Sequence, residues 1–300
     1  MSEIRRVGVV GCGLMGSGIA EVCARAGLEV LVTEANAGAL AAGRKRITTS
    51  LERALAKGKL DEGEHAATLS RLTFTPDLGD FAAVDLAIEA VAEVESVKVE
   101  IFTALDKIVE SPTAILASNT SSIPIMKLGM ATGRPEMVIG IHFFNPVPVL
   151  KLVELVTSLL TEQQTAARAA DFATGTLQKQ VIRSQDRAGF IVNALLIPYL
   201  LSAIRMMDSG FASAGDIDNG MVLGCAHPMG PLALADLIGL DTVKAIAESM
   251  YEEFKEPLYF APPLLLRMVD AGLLGKKSGR GFHIYDRRQY QSVAPTGTST

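Results

Sequence analysis

The sequence predicts an α/β fold with a mostly parallel sheet, followed by an all-helical region. Three observations support this. Short apolar stretches rich in Val, Ile and Leu alternate with helical patterns as far as residue 177, which is typical of strands and helices in a parallel sheet. A glycine-rich turn follows the first of these stretches. Beyond residue 189 no convincing strand pattern returns, and Gly and Pro residues divide a series of helical segments.

The first forty residues predict a β-α-β unit. A strand at residues 4–10 leads into a turn and helix at 11–26, and a second strand follows at 28–33. Charged helical segments then form an insertion, the first at 37–57 and the second after Asp61, whose side chain can cap a helix.

The rest of the chain continues this alternation and then becomes helical. Strands return between residues 72 and 91, and the clearest predicted strands are at 84–88, 114–117, 137–142 and 150–156. The predicted helices are at 96–108, 162–177, 190–207, 214–223, 232–251 and 263–271. We therefore predict a Rossmann-type domain with a helical insertion at 1–187, a helical domain at 188–291 and a small, polar tail at 292–300.

Composition and charge exclude several classes of protein. The net charge of −5 and the pI of about 5.5 are opposite to the basic field of a nucleic-acid-binding protein. No apolar run reaches the roughly 18 residues of a membrane span, and no signal peptide is visible. Cys12, Cys23 and Cys225 have neither disulfide nor metal spacing, which is compatible with a reducing compartment. We expect a cytoplasmic protein that binds neither nucleic acid nor membrane and holds no metal.

The turn after the first strand has the pattern Gly11-x-Gly13-x-x-Gly16. The first glycine permits a tight turn, the second lets the backbone approach a pyrophosphate, and the third allows close helix–strand packing. Glu34 ends the second strand, where a carboxylate can bind the adenosine ribose hydroxyls. Its charge would repel the 2′-phosphate of NADP, so NAD is the expected cofactor.

A histidine and several polar residues follow other predicted strands. His142 ends an apolar strand and Glu154 comes twelve positions later, so the two could pair across strands. An imidazole moves protons near neutral pH, and a carboxylate can fix its tautomer. Asn119, Ser121 and Ser122 follow a neighbouring strand. The pattern alone leaves alternatives open, namely a structural histidine and ordinary turn chemistry.

Taken together, six segments resemble the L-3-hydroxyacyl-CoA dehydrogenase family, and within it the short single-function bacterial members. They span almost the whole chain in the family's order. They are GCGLMGSGIA at 11–20, SNTSS at 118–122, HFFNPVPVLKLVE at 142–154, GFIVN at 189–193, HPMGPLALADLIGLD at 227–241 and GKKSGRGF at 275–282. Two departures are Ala188, where the family often has Pro, and one extra residue in the loop around 157–161.

The resemblance implies roles for the reacting groups. His142 matches the family's general acid/base, and Glu154 matches the carboxylate that orients it. Ser121 matches the serine that hydrogen-bonds the reacting oxygen. Asn193 matches the asparagine of the second domain that helps to position the substrate.

The resemblance also implies binding residues and partners. The cofactor would be NAD, the substrate an acyl-CoA, and the assembly a homodimer formed through the C-terminal domain. Ser50 and Lys57 match positions near the CoA phosphates. The expected cofactor-binding residues are those of the glycine turn, Glu34 and three further positions, namely Gly11, Gly13, Leu14, Met15, Gly16, Glu34, Glu89, Lys98 and Asn119.

The expected activity is the oxidation of short-chain 3-hydroxyacyl-CoA, such as 3-hydroxybutyryl-CoA, to the 3-keto product, and the reverse reduction. Two alternatives are a dehydrogenase of free hydroxy acids or sugar acids on the same scaffold, and a non-catalytic NAD-binding relative. Several acyl-chain lengths and both directions of the reaction are compatible with the sequence.

Overall fold

A computed structural model describes residues 4–285 and divides the chain into two compact units between Phe190 and Ile191. The first unit contains one sheet of eight strands. They are β1 Arg6–Val10, β2 Glu29–Thr33, β3 Leu72–Phe74, β4 Leu86–Glu89, β5 Ile115–Ser118, β6 Val138–Phe143, β7 Leu152–Thr157 and β8 Gln180–Gln185.

The strand order is β3-β2-β1-β4-β5-β6-β7-β8. Strands β1 to β6 run parallel to one another, β7 runs antiparallel to β6, and β8 runs parallel to β7. The carboxyl ends of β1, β2, β4, β5 and β6 therefore lie along one edge of the sheet. The connection from β6 to β7, at residues 144–151, lies at the same edge.

Helices cover both faces of this sheet. Within β4, Leu86 and Ile88 belong to one apolar cluster with residues of α1 and α2, whereas Ala87 belongs to a second cluster with residues of α4. Alternation along a strand places these clusters on opposite faces. The first-unit helices are α1 Leu14–Arg25, α2 Ala37–Ala56, α3 Glu62–Ser70, α4 Glu95–Ile108, α5 Ile125–Gly129 and α6 Gln163–Asp171.

The predicted helical insertion corresponds to α2 and α3, and Asp61 caps α3 with a reciprocal bond from its backbone to Glu64. Strand β8 and helix α5 were not predicted from the sequence. Strand β8 reads Gln-Val-Ile-Arg-Ser-Gln and lies at the edge of the sheet. Because an edge strand needs little apolar surface, its sequence carries a weak signal. The predicted helix at 162–177 consists of α6 followed directly by a π-helical segment, Phe172–Thr176.

The second unit contains five α-helices within residues 191–285. They are α7 Val192–Asp208, α8 Ala214–Cys225, α9 Pro231–Ile238, α10 Leu240–Phe254 and α11 Pro263–Asp270. The prediction of one helix over 232–251 was wrong, because Gly239 has φ +102° and separates α9 from α10. The tail predicted from residue 292 lies outside the described residues.

No helix among residues 4–285 combines the length and the apolar character needed to cross a membrane. The fold class, a mostly parallel sheet with helices followed by a helical region, is the one that the sequence predicts.

Candidate active site

The glycine turn joins β1 to α1 at the carboxyl edge of the sheet. Gly11 has φ +92°, and a Cβ there would lie 2.7 Å from the carbonyl oxygen of Ala90. A Cβ at Gly13 would meet no atom within 4 Å, so open space remains above its backbone. The turn therefore fits a dinucleotide, whose pyrophosphate needs close backbone approach and the N-terminus of a helix.

The loop side chains around this turn differ in exposure. Leu14 is 64% exposed and Met15 is half-buried. The Cys12 thiol is fully buried, and this burial raises its pKa to about 12. Cys12 is therefore protonated and packs as a small apolar residue.

Glu34 is fixed beside the glycine turn. Its Oε1 accepts a hydrogen bond of 2.7 Å from the backbone N–H of Cys12, and its Oε2 accepts one of 3.0 Å from Ala35. Arg46 of α2, which the sequence analysis did not single out, donates to the carbonyl oxygen of Cys12 at 2.9 Å. The end of β2, the turn and α2 are thus connected where the ribose hydroxyls of a dinucleotide would lie.

His142 and Glu154 lie directly opposite each other on the antiparallel strands β6 and β7. Nδ1 of His142 lies 2.8 Å from Oε2 of Glu154. The two residues are 7% and 0% exposed, so water screens the contact little. With Nδ1 engaged by the carboxylate, Nε2 is the ring nitrogen that can serve a ligand.

Two aromatic rings flank the imidazole. The ring centroid of Phe144 lies 4.6 Å from that of His142, and the ring centroid of Phe190 lies 5.5 Å from it. Phe144 is the first residue of the connection between β6 and β7. The orientation of the imidazole therefore depends on this connection as well as on Glu154.

Asn119 lies at the end of β5 and contacts the end of β6. Its Oδ1 accepts a hydrogen bond of 2.9 Å from the backbone N–H of Phe143, the residue after His142. Asn119 is 9% exposed. Its side chain thus connects the two strand ends that carry the polar residues.

Glu89 and Lys98 form an ion pair in the interior. Nζ of Lys98 lies 2.6 Å from Oε1 of Glu89, and the two side chains are 1% and 0% exposed. Glu89 also accepts hydrogen bonds of 2.7 Å from the hydroxyl of Ser118 and from the backbone N–H of Val91. Through Glu89, this group of contacts connects α4 to the ends of β4 and β5.

Glu93 lies in the turn between β4 and α4 and was not predicted from the sequence. Its Oε1 accepts hydrogen bonds from the hydroxyl of Thr120 at 2.5 Å, from the backbone N–H of Ser121 at 2.9 Å and from that of Ser122 at 3.1 Å. The Ser121 hydroxyl also donates to it, at 3.3 Å. Lys98 lies 3.3 Å from its Oε2. Glu93 therefore holds in place the turn that carries Ser121.

Burial alone would raise the pKa of Glu93. The positive charge of Lys98 and the hydrogen bonds that the carboxylate accepts outweigh burial, so its pKa lies below the usual value. Glu93 is thus a fixed negative charge at this edge of the sheet. Its position on a turn, five residues before Lys98, was the only signal in the sequence.

The remaining predicted residues belong to other elements of the fold. Ser50 is half-buried on α2 and hydrogen-bonds the buried carboxyl group of Glu21 on α1. Lys57 is exposed and caps the C-terminus of α2. Asn193 is 7% exposed in the first turn of α7, which belongs to the second unit. Within residues 4–285 no three His, Cys, Asp or Glu side chains are grouped to hold a metal ion.

A Rossmann-type sheet with a glycine turn and a buried His–Glu pair at one edge is the arrangement of a dinucleotide-dependent oxidoreductase. Family models agree with this class and narrow it. Residues 6–187 match the model of the 3-hydroxyacyl-CoA dehydrogenase NAD binding domain, and residues 189–285 match that of the C-terminal domain.

Individual relatives match over nearly the whole chain. The chain is 62% identical over 282 residues to a 3-hydroxybutyryl-CoA dehydrogenase of Mycobacterium tuberculosis, covering 94% of this chain and 99% of the relative. It is 44% identical over 286 residues to a probable 3-hydroxybutyryl-CoA dehydrogenase of Bacillus subtilis, covering 95% and 99%. The crystal structure of M. tuberculosis FadB2 superposes with a TM-score of 0.94 at 61% identity, covering 95% of this chain and 100% of that one.

The chain therefore belongs to the 3-hydroxyacyl-CoA dehydrogenase family, and its first unit contains an NAD-binding domain. The resemblance that the sequence motifs predict is confirmed, and so is NAD as the cofactor.

Proposed function

We propose that the protein catalyses the NAD-dependent interconversion of 3-hydroxybutyryl-CoA and acetoacetyl-CoA. The observation that carries the proposal is the buried contact of 2.8 Å between His142 and Glu154, at the edge that also holds the glycine turn. Relatives named 3-hydroxybutyryl-CoA dehydrogenase, at 62% and 44% identity, support the choice of substrate.

In this proposal His142 moves the proton of the 3-hydroxyl group. When bound, NAD supplies the hydride chemistry. In the oxidation Nε2 of His142 accepts the hydroxyl proton, and in the reduction the imidazolium returns it to the developing alkoxide. Glu154 keeps the ring oriented through Nδ1 and stabilises the imidazolium. General acid–base catalysis of this kind contributes about 10²- to 10⁴-fold.

Ser121 and Asn193 are proposed to hold the reacting oxygen beside His142. The support for Ser121 is its position after β5, in the turn that Glu93 holds. Asn193 is assigned this role from the family motif that contains it.

The cofactor would lie across the glycine turn. Gly11, Gly13 and Gly16 would admit the pyrophosphate, and Glu34 would accept hydrogen bonds from the ribose hydroxyls. We propose that Glu34 also disfavours NADP, since its carboxylate would meet the 2′-phosphate. Five further residues would complete this binding site, namely Leu14, Met15, Glu89, Lys98 and Asn119.

The CoA portion of the substrate is proposed to contact α2. Lys57 is exposed at the C-terminus of that helix and can pair with a phosphate, and Ser50 lies two turns earlier. We further propose that the first domain, residues 1–187, binds NAD, whereas the second, 188–291, positions the substrate and forms the homodimer.

The second unit carries exposed apolar side chains, including Leu195, Phe211 and Leu223 at 73%, 79% and 83% exposure. Exposed apolar side chains of this size supply area that a partner can cover. Light scattering at micromolar concentration should give the mass of a dimer, and a monomer would contradict this part of the proposal. A cytoplasmic location also belongs to the proposal, on the basis of the three free cysteines.

The activity is tested by initial rates of NADH consumption with 3-ketoacyl-CoA substrates from C4 to C16. The proposal expects the highest kcat/KM with acetoacetyl-CoA and a much lower rate with NADPH. Free acetoacetate is the matched control. Turnover of the free acid instead of the thioester would favour a hydroxy-acid dehydrogenase. Binding of NADH without turnover of any substrate would favour a non-catalytic relative.

A further inference from the structure

A buried lysine contacts the connection between His142 and Glu154. Lys179 precedes β8 and is only 9% exposed. Its Nζ donates hydrogen bonds of 2.6 Å to the carbonyl oxygen of Val147 and 2.7 Å to that of Leu150. Both carbonyls belong to the connection at residues 144–151, which joins the strand of His142 to the strand of Glu154.

Both carbonyls belong to a short turn, Val147 near its start and Leu150 at its end. The backbone N–H groups of Val149 and Leu150 both donate to the carbonyl oxygen of Pro146. An ammonium group at the carbonyl end of a turn satisfies acceptors that the turn leaves unpaired. Lys179 therefore stabilises the folded shape of this connection.

The connection at residues 144–151 also packs against helix α1. Val147 is 2% exposed and packs against α1, where a Cβ at Gly18 would lie 2.8 Å from the Cβ of Val147. The connection thus lies between Lys179 and the helix that begins at the glycine turn. Phe144, at its start, contacts the ring of His142.

The position of Lys179 is set by the backbone before it. Gln178 has φ +55°, a conformation that residues other than glycine rarely adopt. The backbone N–H of Lys179 donates to the carbonyl oxygen of Ala173 at 2.8 Å, and Gln180 pairs with Lys151 at the start of the β7–β8 ladder.

The surroundings of Lys179 explain why a cation there is unusual. The charged and titratable groups that affect it are Arg25 and Cys23, both on α1. Burial lowers the pKa of the Lys179 ammonium, and the positive charge of Arg25 lowers it further. No carboxylate within residues 4–285 forms an ion pair with it, so backbone carbonyls take the place of an anion.

We propose that Lys179 is a positioning residue for the reaction: by fixing the connection at 144–151, it keeps His142 aligned with Glu154 and with the bound substrate. The inference rests on the proposed function of His142. It predicts that Lys179 affects turnover more than binding of the cofactor, because its two bonds are made to the connection and not to the glycine turn.

The test compares Lys179→Met, Lys179→Gln and Lys179→Arg. The control is Lys151→Met, because the Lys151 side chain is exposed and belongs to the same connection. We expect Lys179→Met to lower kcat for acetoacetyl-CoA reduction by about 10- to 100-fold, the range for a small misalignment of reacting groups. The dissociation constant of NADH, measured by fluorescence, should stay within about twofold. Lys179→Arg should recover most of the rate, and Lys151→Met should match the unmodified protein.

A second readout does not depend on turnover. The proton on Nδ1 of His142 that Glu154 binds should give a low-field NMR resonance, identified by its loss in His142→Gln. We expect this resonance to weaken or vanish in Lys179→Met and to persist in Lys179→Arg and Lys151→Met. If Lys179→Met does not fold, the same comparison is made with Lys179→Gln, which keeps a donor nitrogen but no charge and should show an intermediate loss.

An unchanged kcat together with an unchanged resonance in the folded variant would overturn the inference, as would equal losses in kcat and in NADH binding. If the unmodified protein does not reduce acetoacetyl-CoA, the proposed function fails. The NMR comparison would then still decide whether Lys179 positions His142.

Discussion

Two charged groups of residues lie along the same edge of the sheet, and they differ in the side chains that they contain. One combines carboxylates with an ammonium group, and the other combines a carboxylate with an imidazole. The Lys98 cluster consists of Glu89, Glu93 and Lys98, and its carboxylates accept bonds from the ammonium, from hydroxyls and from backbone N–H groups. The His–Glu pair consists of His142 and Glu154, and Nδ1 of His142 lies 2.8 Å from Oε2 of Glu154.

This difference separates structural support from chemistry. A buried charge whose partners are all in place keeps its protonation state and fixes the elements around it. An imidazole held at one nitrogen keeps its second nitrogen for a reacting proton. We therefore propose proton transfer for the His–Glu pair, and support of the cofactor and serine turns for the Lys98 cluster.

The largest expected effect is on turnover, at His142. His142→Gln removes the proton carrier, so kcat for acetoacetyl-CoA reduction should fall by about 10²- to 10⁴-fold. Binding of NADH, measured by fluorescence, should change little because the glycine turn is untouched. His65→Gln on α3 is the matched histidine control and should keep the full rate. A His142→Gln variant with the full rate would show that the His–Glu pair, like the Lys98 cluster, does not transfer the proton.

The next effect is on stability, at Lys98. Lys98→Met leaves the interior carboxylate of Glu89 without its cation, so the free energy of unfolding should fall by about 3–5 kcal/mol. The control is Lys127→Met, which removes the exposed pair with Glu95, whose side chains are 54% and 48% exposed. Loss of such a surface pair should cost about 0–1 kcal/mol. Urea denaturation measures the free energy of unfolding of both variants. Equal losses in the two variants would contradict a structural role for the Lys98 cluster.

The smallest effect is a pH dependence, at Glu93. Because the folded-state pKa of Glu93 is lowered, its contribution to stability is present at neutral pH and is lost as the pH falls through that lowered pKa. Thermal unfolding should show Glu93→Gln as less stable than the unmodified protein at neutral pH. The gap between them should shrink in acid. A gap that widens in acid would mean that the sign of the shift is wrong.

The sequence predicted the parts of the site that depend on local pattern. The β-α-β unit, the glycine turn and Glu34 are close in the chain, and the spacing of His142 and Glu154 fits a strand pair. Fold class and family followed from these and from the motifs. The break between α9 and α10 was missed because Gly239 alone, within an apolar helical pattern, gives a weak signal.

The sequence could not reveal residues whose importance arises from distant contacts. Glu93 precedes a helix among other charged residues and reads as a surface carboxylate until the Ser121 turn is placed against it. Lys179 reads as a solvated lysine, and only the three-dimensional fold brings Val147 and Leu150 to its ammonium, 32 and 29 positions away in the chain.

The most direct test follows the hydride with a deuterium label and tests the proton carrier with a variant of His142, in one reaction. NADH carrying two deuterium atoms at C4 of the nicotinamide is mixed with acetoacetyl-CoA and enzyme in a single turnover, and the product is analysed by mass spectrometry. We expect one deuterium on carbon 3 of 3-hydroxybutyryl-CoA, and we expect His142→Gln to form this product orders of magnitude more slowly. Product without deuterium at carbon 3, or formed at an undiminished rate by that variant, would contradict the proposed mechanism.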